Sequence, residues 1–293
     1  MMREILASPD SVGQRLDVVL AGLYPQLTRS SLEPLFDKGF VSVDGHEAKA
    51  SHKVREGEKI KIDETYLNQK PPKIKLPVLY EDENVIVIDK PAGILTHSKG
   101  ALNFEATVAS FIKPQIKDKS MDGNRAGIVH RLDRWTSGVI ITARTAEAQK
   151  FLQKQFSQRK VKKIYMAIVE GVPEPPEAII DAPIARNPKK PQTFTVMAGG
   201  KPAQTQYKVL AEGLFGKKRA AKLELKPLTG RTHQLRVHMA YIGHPVACDA
   251  IYGHKGGELM LHAAELELTL PGGKREVFKS QLPARFKEFT KDG

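Results

Sequence analysis

The stretch GIVHRLDRWTSGVIIT, residues 127–142, decides how the rest of the chain is read. Val139, Ile140 and Ile141 form a continuous apolar run, which reads as a strand entering a core. Ser137 and Gly138 stand just before it and permit a tight turn. Upstream of that turn lies Asp133, a carboxylate between Arg131 and Arg134. Neighbouring positive charge favours the ionised form and lowers an Asp pKa from its ordinary value of about 3.9. The expectation is an anionic carboxylate at the mouth of a cleft, backed by a buried strand. An exposed, salt-bridged loop would have the same composition, so the choice rests on the remainder of the chain.

The chain has 293 residues, enough for one large domain and a small one. No apolar run approaches the roughly 20 residues of a membrane span. The start, MMREILASPD, lacks the apolar core of a secretory signal. A single cysteine, Cys248, excludes an internal disulfide and a cysteine-based zinc cluster, and it fits a reducing cytosol. A cytoplasmic location is therefore expected. Net charge is +13, and because residues 1–63 sum to −1, the remainder carries +14. Much of the excess sits in KQFSQRKVKK (154–163), with a second cluster at Lys217-Lys218-Arg219. Either run alone reads as a solvated face. With the global excess, a nucleic acid becomes the better partner.

Toward the N-terminus, QRLDVVLAGLY (14–24) places Leu16, Val19, Leu20 and Leu23 on one helical face, and Pro25 ends the helix. A second helix is expected from about Ser31 to Asp37, capped by Ser30 or Ser31, because Pro34 belongs in a first turn. Phe40 to Val43 alternates into an Asp44-Gly45 turn, and Val54 to Ile62 reads as a second hairpin. These elements make a module over 1–63. The three prolines of ETYLNQKPPKIKLP (64–77) suggest a linker, and a larger domain follows over 78–293.

In that domain NVIVID (84–89) is a buried strand ending in a Lys90-Pro91-Ala92-Gly93 turn, and EATVASF (105–111) is helical in spacing. Thr145 caps a helix whose buried face is Ala148, Phe151, Leu152 and Phe156. Residues 163–169, 204–209 and 219–225 read as strands, about 232–242 as a helix, and 261–268 as a further strand. No regular β-α-β alternation appears. The fold class expected is α+β: a small N-terminal α/β module plus a large domain with a mostly antiparallel mixed sheet flanked by helices and loops.

Common catalytic patterns are missing. His233 and His238 are five apart without the helical zinc motif, no Gly-rich phosphate loop occurs, and no G-x-S-x-G elbow is present. No metal is expected. Arg231 and Arg236 flank a helix start in TGRTHQLR (229–236), a place that suits an anion, although surface salt bridging would use the same residues.

Taken together, DENVIVIDKPAGILTHS (82–98), HRLDRWTSG (130–138), KKIYMAIV (162–169) and TGRTHQLRVHMAYIGHPVACDAIYG (229–253) resemble the RluA-type pseudouridine synthases. LMLHA (259–263) and Leu282-Pro283 fit the same pattern. The resemblance implies isomerisation of uridine in RNA to pseudouridine, without metal or cofactor. It makes Asp133 the essential residue, Arg236 its partner and Tyr165 the residue against the target base. It also implies that Arg131 fills the space left by a flipped base, that His130, Thr136 and Leu235 shape the pocket, and that Arg231 and His233 join the RNA-binding set. A non-catalytic RNA-binding or ribosome-assembly factor, and a base-excising glycosylase, are the competing readings.

In the N-terminal module, Arg15-Leu16-Asp17, Thr28-Arg29-Ser30, Gly39, Val41, Val43-Asp44-Gly45 and Val54 resemble the small RNA-binding module named after the fourth protein of the small ribosomal subunit. That resemblance implies RNA contacts at Arg29, Ser30 and Lys38. Large-subunit ribosomal RNA is the first expected target and tRNA the alternative, and a monomer is expected. Trp135 and Cys248 depart from the family pattern: Trp135 is expected to pack, with RNA contact as the alternative, and Cys248, where glycine is common, to alter its turn.

Overall fold

The computed structural model of the chain describes residues 1–98 and 104–291. Contacts divide it into two units, Met1–Ile74 with His97–Ser110 and Asp122–Arg125, and Lys75–Thr96 with Phe111–Met121 and Ala126–Gly293.

The first unit contains β1 (Met2–Leu6), α1 (Leu16–Leu23), α2 (Arg29–Asp37), β2 (Val41–Val43), β3 (His46–Glu47) and β4 (Lys59–Asp63). Its sheet has the order β1-β4-β2-β3, antiparallel throughout. Leu16, Leu20, Leu32 and Leu35 pack with Ile60 and Ile62 to form its core. Tyr66, from the stretch expected to be a linker, also joins that core and stacks on Phe40 and Phe104.

Two local expectations are corrected. Helix α2 starts at Arg29, capped by Thr28, whose Oγ1 accepts from the Ser31 amide at 3.2 Å. Pro34 therefore lies past the first turn; its missing donor costs one hydrogen bond, which burial of Leu32, Leu35 and Phe36 offsets. The second hairpin is absent, because Lys59–Asp63 pairs instead with β1 and β2. Strand β1 gave no sequence signal: only alternate residues are half-buried, and Met2 and Leu6 are exposed.

The second unit contains β5 (Val78–Glu81), β6 (Val85–Lys90), β7 (Ser137–Ala143), α4 (Ala146–Ser157), β8 (Lys162–Glu170), β9 (Glu177–Asp181), β10 (Ile184–Arg186), β11 (Phe194–Val196), β12 (Gln204–Phe215), β13 (Lys218–Pro227), α5 (Gln234–Tyr241), β14 (Leu261–Thr269), β15 (Arg275–Lys279) and β16 (Phe289–Lys291). The short α3 (Val108–Ile112) lies between β6 and β7 in sequence, at the region expected to be helical from residue 105.

A ten-stranded sheet runs β16-β12-β13-β8-β14-β7-β6-β5, with β15 paired to β14 and β9 to β12. Strands β6 and β7 lie inside this sheet, so their continuous valine and isoleucine runs are buried rather than alternating. The pairing is antiparallel except between β7 and β14, which run parallel through Ser137↔His262 and Gly138↔Ala263. At that crossing only glycine fits at 138, because a Cβ there would lie 2.1 Å from the Ala263 carbonyl oxygen.

Helix α4 is capped as expected, with the Thr145 hydroxyl accepting from the Ala148 amide at 3.2 Å. Its buried face is Ala148, Leu152 and Gln155, while Phe151 is exposed. Gln155 turns inward because its amide pairs with both backbone groups of Thr269, at 2.6 and 3.0 Å. Among the described residues, no helix is long and apolar enough to cross a membrane.

Candidate active site

A cavity of about 470 Å³ opens where the loop before β7 meets the end of α4, strand β8 and the turn from β13 into α5. Asp133, Tyr165 and Arg236 line it, as do Arg131, His130, Thr136, Arg231, His233 and Leu235. Asp133 and Arg236, 103 residues apart in sequence, meet here.

The Asp133 loop is held from beneath by the segment after β6. Thr96 Oγ1 donates to the Leu132 carbonyl at 2.9 Å and accepts from the Leu132 amide at 3.2 Å. The Arg134 carbonyl accepts from the Gly93 amide at 2.9 Å and from Lys90 Nζ at 3.1 Å. Lys90 also donates to the carbonyls of Pro91 and Ile94, at 2.9 and 2.8 Å. It is fully buried, and that burial pulls its ammonium down to about 7, against the attraction of Asp133. Thr136 closes the turn, donating its amide to the Asp133 carbonyl at 3.2 Å.

The Asp133 side chain is 16% exposed, and its strongest contact comes from Arg236 Nη1, 3.4 Å from Oδ2. Among the described residues its charged contacts are Arg236 and His233 rather than the expected partners, Arg131 and Arg134. Arg131 is exposed, and Arg134 Nη1 donates to the Gly93 carbonyl at 3.4 Å. Consecutive loop residues point in different directions, so the neutralising charge comes from another element.

Arg236 is itself fixed by a residue that sequence reasoning missed. Its Nε and Nη2 each donate to Asp249 at 2.7 Å, a bidentate pair that leaves only Nη1 for Asp133. Asp249 also accepts from the amides of Ile251 and Tyr252. Burial alone would raise its carboxyl, but Arg236 and these amides hold it below the usual carboxylate range. Cys248, just before it, has φ 62. The turn thus passes through a left-handed residue at that position even though the side chain is not glycine.

His233 Nε2 lies 3.9 Å from Asp133 Oδ1. Its Nδ1 is 2.8 Å from the Tyr252 hydroxyl, which also accepts from the Phe194 amide. Assigning the Tyr252 proton to His233 Nδ1 puts the ring hydrogen on Nε2, facing the carboxylate; this tautomer follows from the network. Burial lowers the His233 pKa, so the ring favours its neutral form. Its backbone has φ 56 and caps α5, so the helix begins at Gln234 rather than near Thr232.

Gln234 ties this turn to the sheet. Its oxygen accepts from Thr229 Oγ1 and the Arg231 amide, and its nitrogen donates to the Gln204 carbonyl and Thr205 Oγ1. The Arg231 side chain donates to the Pro202 carbonyl at 3.0 Å.

On β8, burial and the charge of Asp133 push the Tyr165 phenol well above its ordinary value, so it keeps its proton. Lys163, two residues earlier, is pulled down to about 8 by burial and donates to the Thr229 carbonyl at 3.4 Å. His130 is held neutral: burial first, then Lys163, lowers it to about 3. Its Nε2 accepts from the Ile141 amide at 3.1 Å, and its ring stacks on Phe156.

Arg29, Ser30 and Lys38 belong to the first unit and do not line the cavity. Arg29 Nη2 pairs with Asp17 at 2.8 Å, the Ser30 hydroxyl lies 3.1 Å from that of Thr28, and Lys38 Nζ sits 4.7 Å from the Tyr66 ring. Lys90, Lys163, Asp249 and Tyr252 are the site residues missed by sequence reasoning. Their signal was present in DKPAG, KKIY and CDAIY, but it showed as turn and strand residues, without a pattern naming a partner. Among the described residues, no group of three or more His, Cys, Asp or Glu side chains is placed to hold a metal ion.

Residues 84–241 match the RNA pseudouridylate synthase family. The chain is 39% identical to the ribosomal large subunit pseudouridine synthase D of Nitrosomonas europaea, over 95% of this chain and 84% of that protein. It is 37% identical to the protein of the same name from Pseudomonas aeruginosa, over 94% and 90%. Among solved structures, human RNA pseudouridylate synthase domain containing 1 superposes with a TM-score of 0.63 at 26% identity, covering 76% of this chain and 92% of that one. The chain belongs to the RNA pseudouridylate synthase family.

Proposed function

We propose that this pseudouridine synthase isomerises uridines in large-subunit ribosomal RNA, with Asp133 as its catalytic carboxylate. One observation carries the reading: the Asp133 carboxylate faces a cavity and has a single long guanidinium contact, at 3.4 Å, beside a protonated Tyr165. The relatives named for the large ribosomal subunit support ribosomal RNA over tRNA.

The reaction breaks the bond between the sugar and N1 of uracil, turns the base and joins the sugar to C5, with loss of the C5 hydrogen to water. An anionic Asp133 can serve as nucleophile toward the sugar or the base, or as the base that removes a sugar proton. In each case Arg236 orients the carboxylate without consuming it, because Asp249 takes two of its three nitrogens. Tyr165 packs against the base and presents an O–H. A paired uridine must leave its stack to enter, at a cost of about a few kcal/mol, and the exposed Arg131 fills the space left behind.

Phosphates lie along the lip formed by Lys154 to Lys163, of which Arg159 and Lys163 line the cavity. The N-terminal unit acts as the RNA-binding module its sequence resembles, with Arg29, Ser30 and Lys38 as contacts. Its charge of −1 over residues 1–63 suits it to positioning RNA more than to supplying binding energy. The protein works in the cytoplasm as a monomer.

Release of tritium from C5-labelled uridine in a large-subunit rRNA transcript tests the reading. Asp133→Asn should abolish release while RNA binding persists. Turnover by that variant at the normal rate would overturn the assignment.

A further inference from the structure

We infer that Trp135 is a stacking platform for an unpaired nucleobase beside the target uridine, a subsite outside the cavity. The inference deepens the reading of RNA as substrate and rests on it. Trp135 follows Asp133 by two residues, so their Cα atoms lie within about 7.6 Å, two steps of 3.8 Å. It does not line the cavity, and it is 50% exposed. Packing was the favoured expectation for this residue, with RNA contact the alternative; the half-exposed ring leaves room for both. Trp135 is also the only tryptophan in the chain.

One side of the indole is braced. A Cβ on Gly93 would lie 3.5 Å from Trp135 Cζ3, so an edge of the indole stands in van der Waals contact with that turn. The chain on either side is fixed, by the Gly93 amide and Lys90 Nζ on the Arg134 carbonyl and by the Thr136 amide on the Asp133 carbonyl. The fold thus presents a large rigid face, with two side-chain torsions to settle on binding.

Charge selects the occupant. Arg131 is exposed on the same loop, and Arg134 directly precedes the indole. Cationic groups that follow a phosphate backbone, combined with an aromatic face, are how proteins hold single-stranded nucleic acid. Every base has a π-face, so the subsite takes any base and sets register rather than sequence. A target base drawn into the cavity leaves its neighbours unstacked, and Trp135 supplies the surface one of them has lost.

Because Trp135 is the single tryptophan, intrinsic emission reports on this residue alone. The probe is Asp133→Asn protein titrated with a large-subunit rRNA transcript. Emission should be quenched, and access of acrylamide to the indole should fall. In steady-state tritium release, Trp135→Ala should raise KM about 10-fold while kcat changes by less than about 2-fold, and Trp135→Phe should restore most of the loss. Unchanged emission and acrylamide access at saturating RNA would overturn the proposal. So would a wild-type KM in Trp135→Ala. If the alanine variant does not fold, the titration and Trp135→Phe decide. Absence of tritium release by the wild-type enzyme would count against the isomerase reading, and quenching would be read independently.

Discussion

The triplet Arg-Leu-Asp occurs at 15–17 and again at 131–133, and the two copies end in different company. In both, the leucine is buried. In the first, Arg15 caps helix α1 and turns back on its own aspartate, with Nε and Nη2 each 3.1 Å from Asp17. Arg29 adds Nη2 at 2.8 Å. Arg15, then Arg29, hold the Asp17 carboxyl below the usual range, even though burial opposes them. In the second copy Arg131 faces solvent, and Asp133 receives one bond of 3.4 Å from a distant arginine. A carboxylate whose lone pairs are taken by two guanidiniums is a clamp. One with lone pairs free toward a cavity can react.

The largest expected contrast is in activity. Asp133→Asn should lower tritium release by at least about 1,000-fold, as loss of an essential nucleophile or base does. Asp17→Asn should leave kcat in place and reduce stability by about 1 kcal/mol, because its arginine partners are near half exposed. Equal activity losses in the two variants would erase the distinction.

Next comes the carboxylate that holds the guanidinium. Asp249→Asn should cost about 10- to 100-fold in kcat, the scale seen when outer partners that orient metal ligands are removed. It should also cost about 3 kcal/mol in urea denaturation, because Arg236 would remain buried with half its partner gone. An Asp249 variant with wild-type kcat would mean that Asp133 needs no oriented arginine.

Lys90→Met removes the shared donor of three carbonyls beneath the Asp133 loop and should cost about 2 kcal/mol by the same measurement. The triplet at 15–17 is held instead by backbone bonds, from the Leu16 amide to the His52 carbonyl and from the Asp17 amide to the Ala50 carbonyl. The reactive copy is therefore expected to depend more on its buried support.

The last contrast concerns pH. His130 titrates near 3 in the folded state and near its ordinary 6.5 when unfolded. The unfolded chain takes up that proton first, so the contribution is present above pH about 6.5. It is lost, at up to about 1.4 kcal/mol per pH unit, as pH falls toward about 3. His130→Asn should reduce the dependence by this one-proton slope between pH about 5 and about 6.5, measured by urea denaturation. An unchanged slope would show that His130 is not buried neutral.

Much of the fold was legible because hydrophobic periodicity is a local signal. It marked β6, β7, β8, α1 and α4, and the mixture of helices with antiparallel strands followed from their order. Strand β1 was missed because an edge strand with exposed Met2 and Leu6 carries little pattern. Phe151 was misplaced because the helix face turns to let Gln155 reach Thr269, a partner 114 residues away.

Within the site, Asp133, Tyr165 and Arg236 could be named from their motifs, and the cavity brings them together. What held Asp133 could not be named, since flanking arginines looked sufficient and pointed elsewhere. The sequence by itself determined which residue types stand at each position: the carboxylate, the glycine that alone fits against Ala263, and the charge excess that favours RNA. Tertiary structure decided which of two Arg-Leu-Asp triplets keeps a free carboxylate. Ion pairing depends on where side chains point in three dimensions, and the residues that settled it, Arg236 and Asp249, lie more than 100 positions away from Asp133.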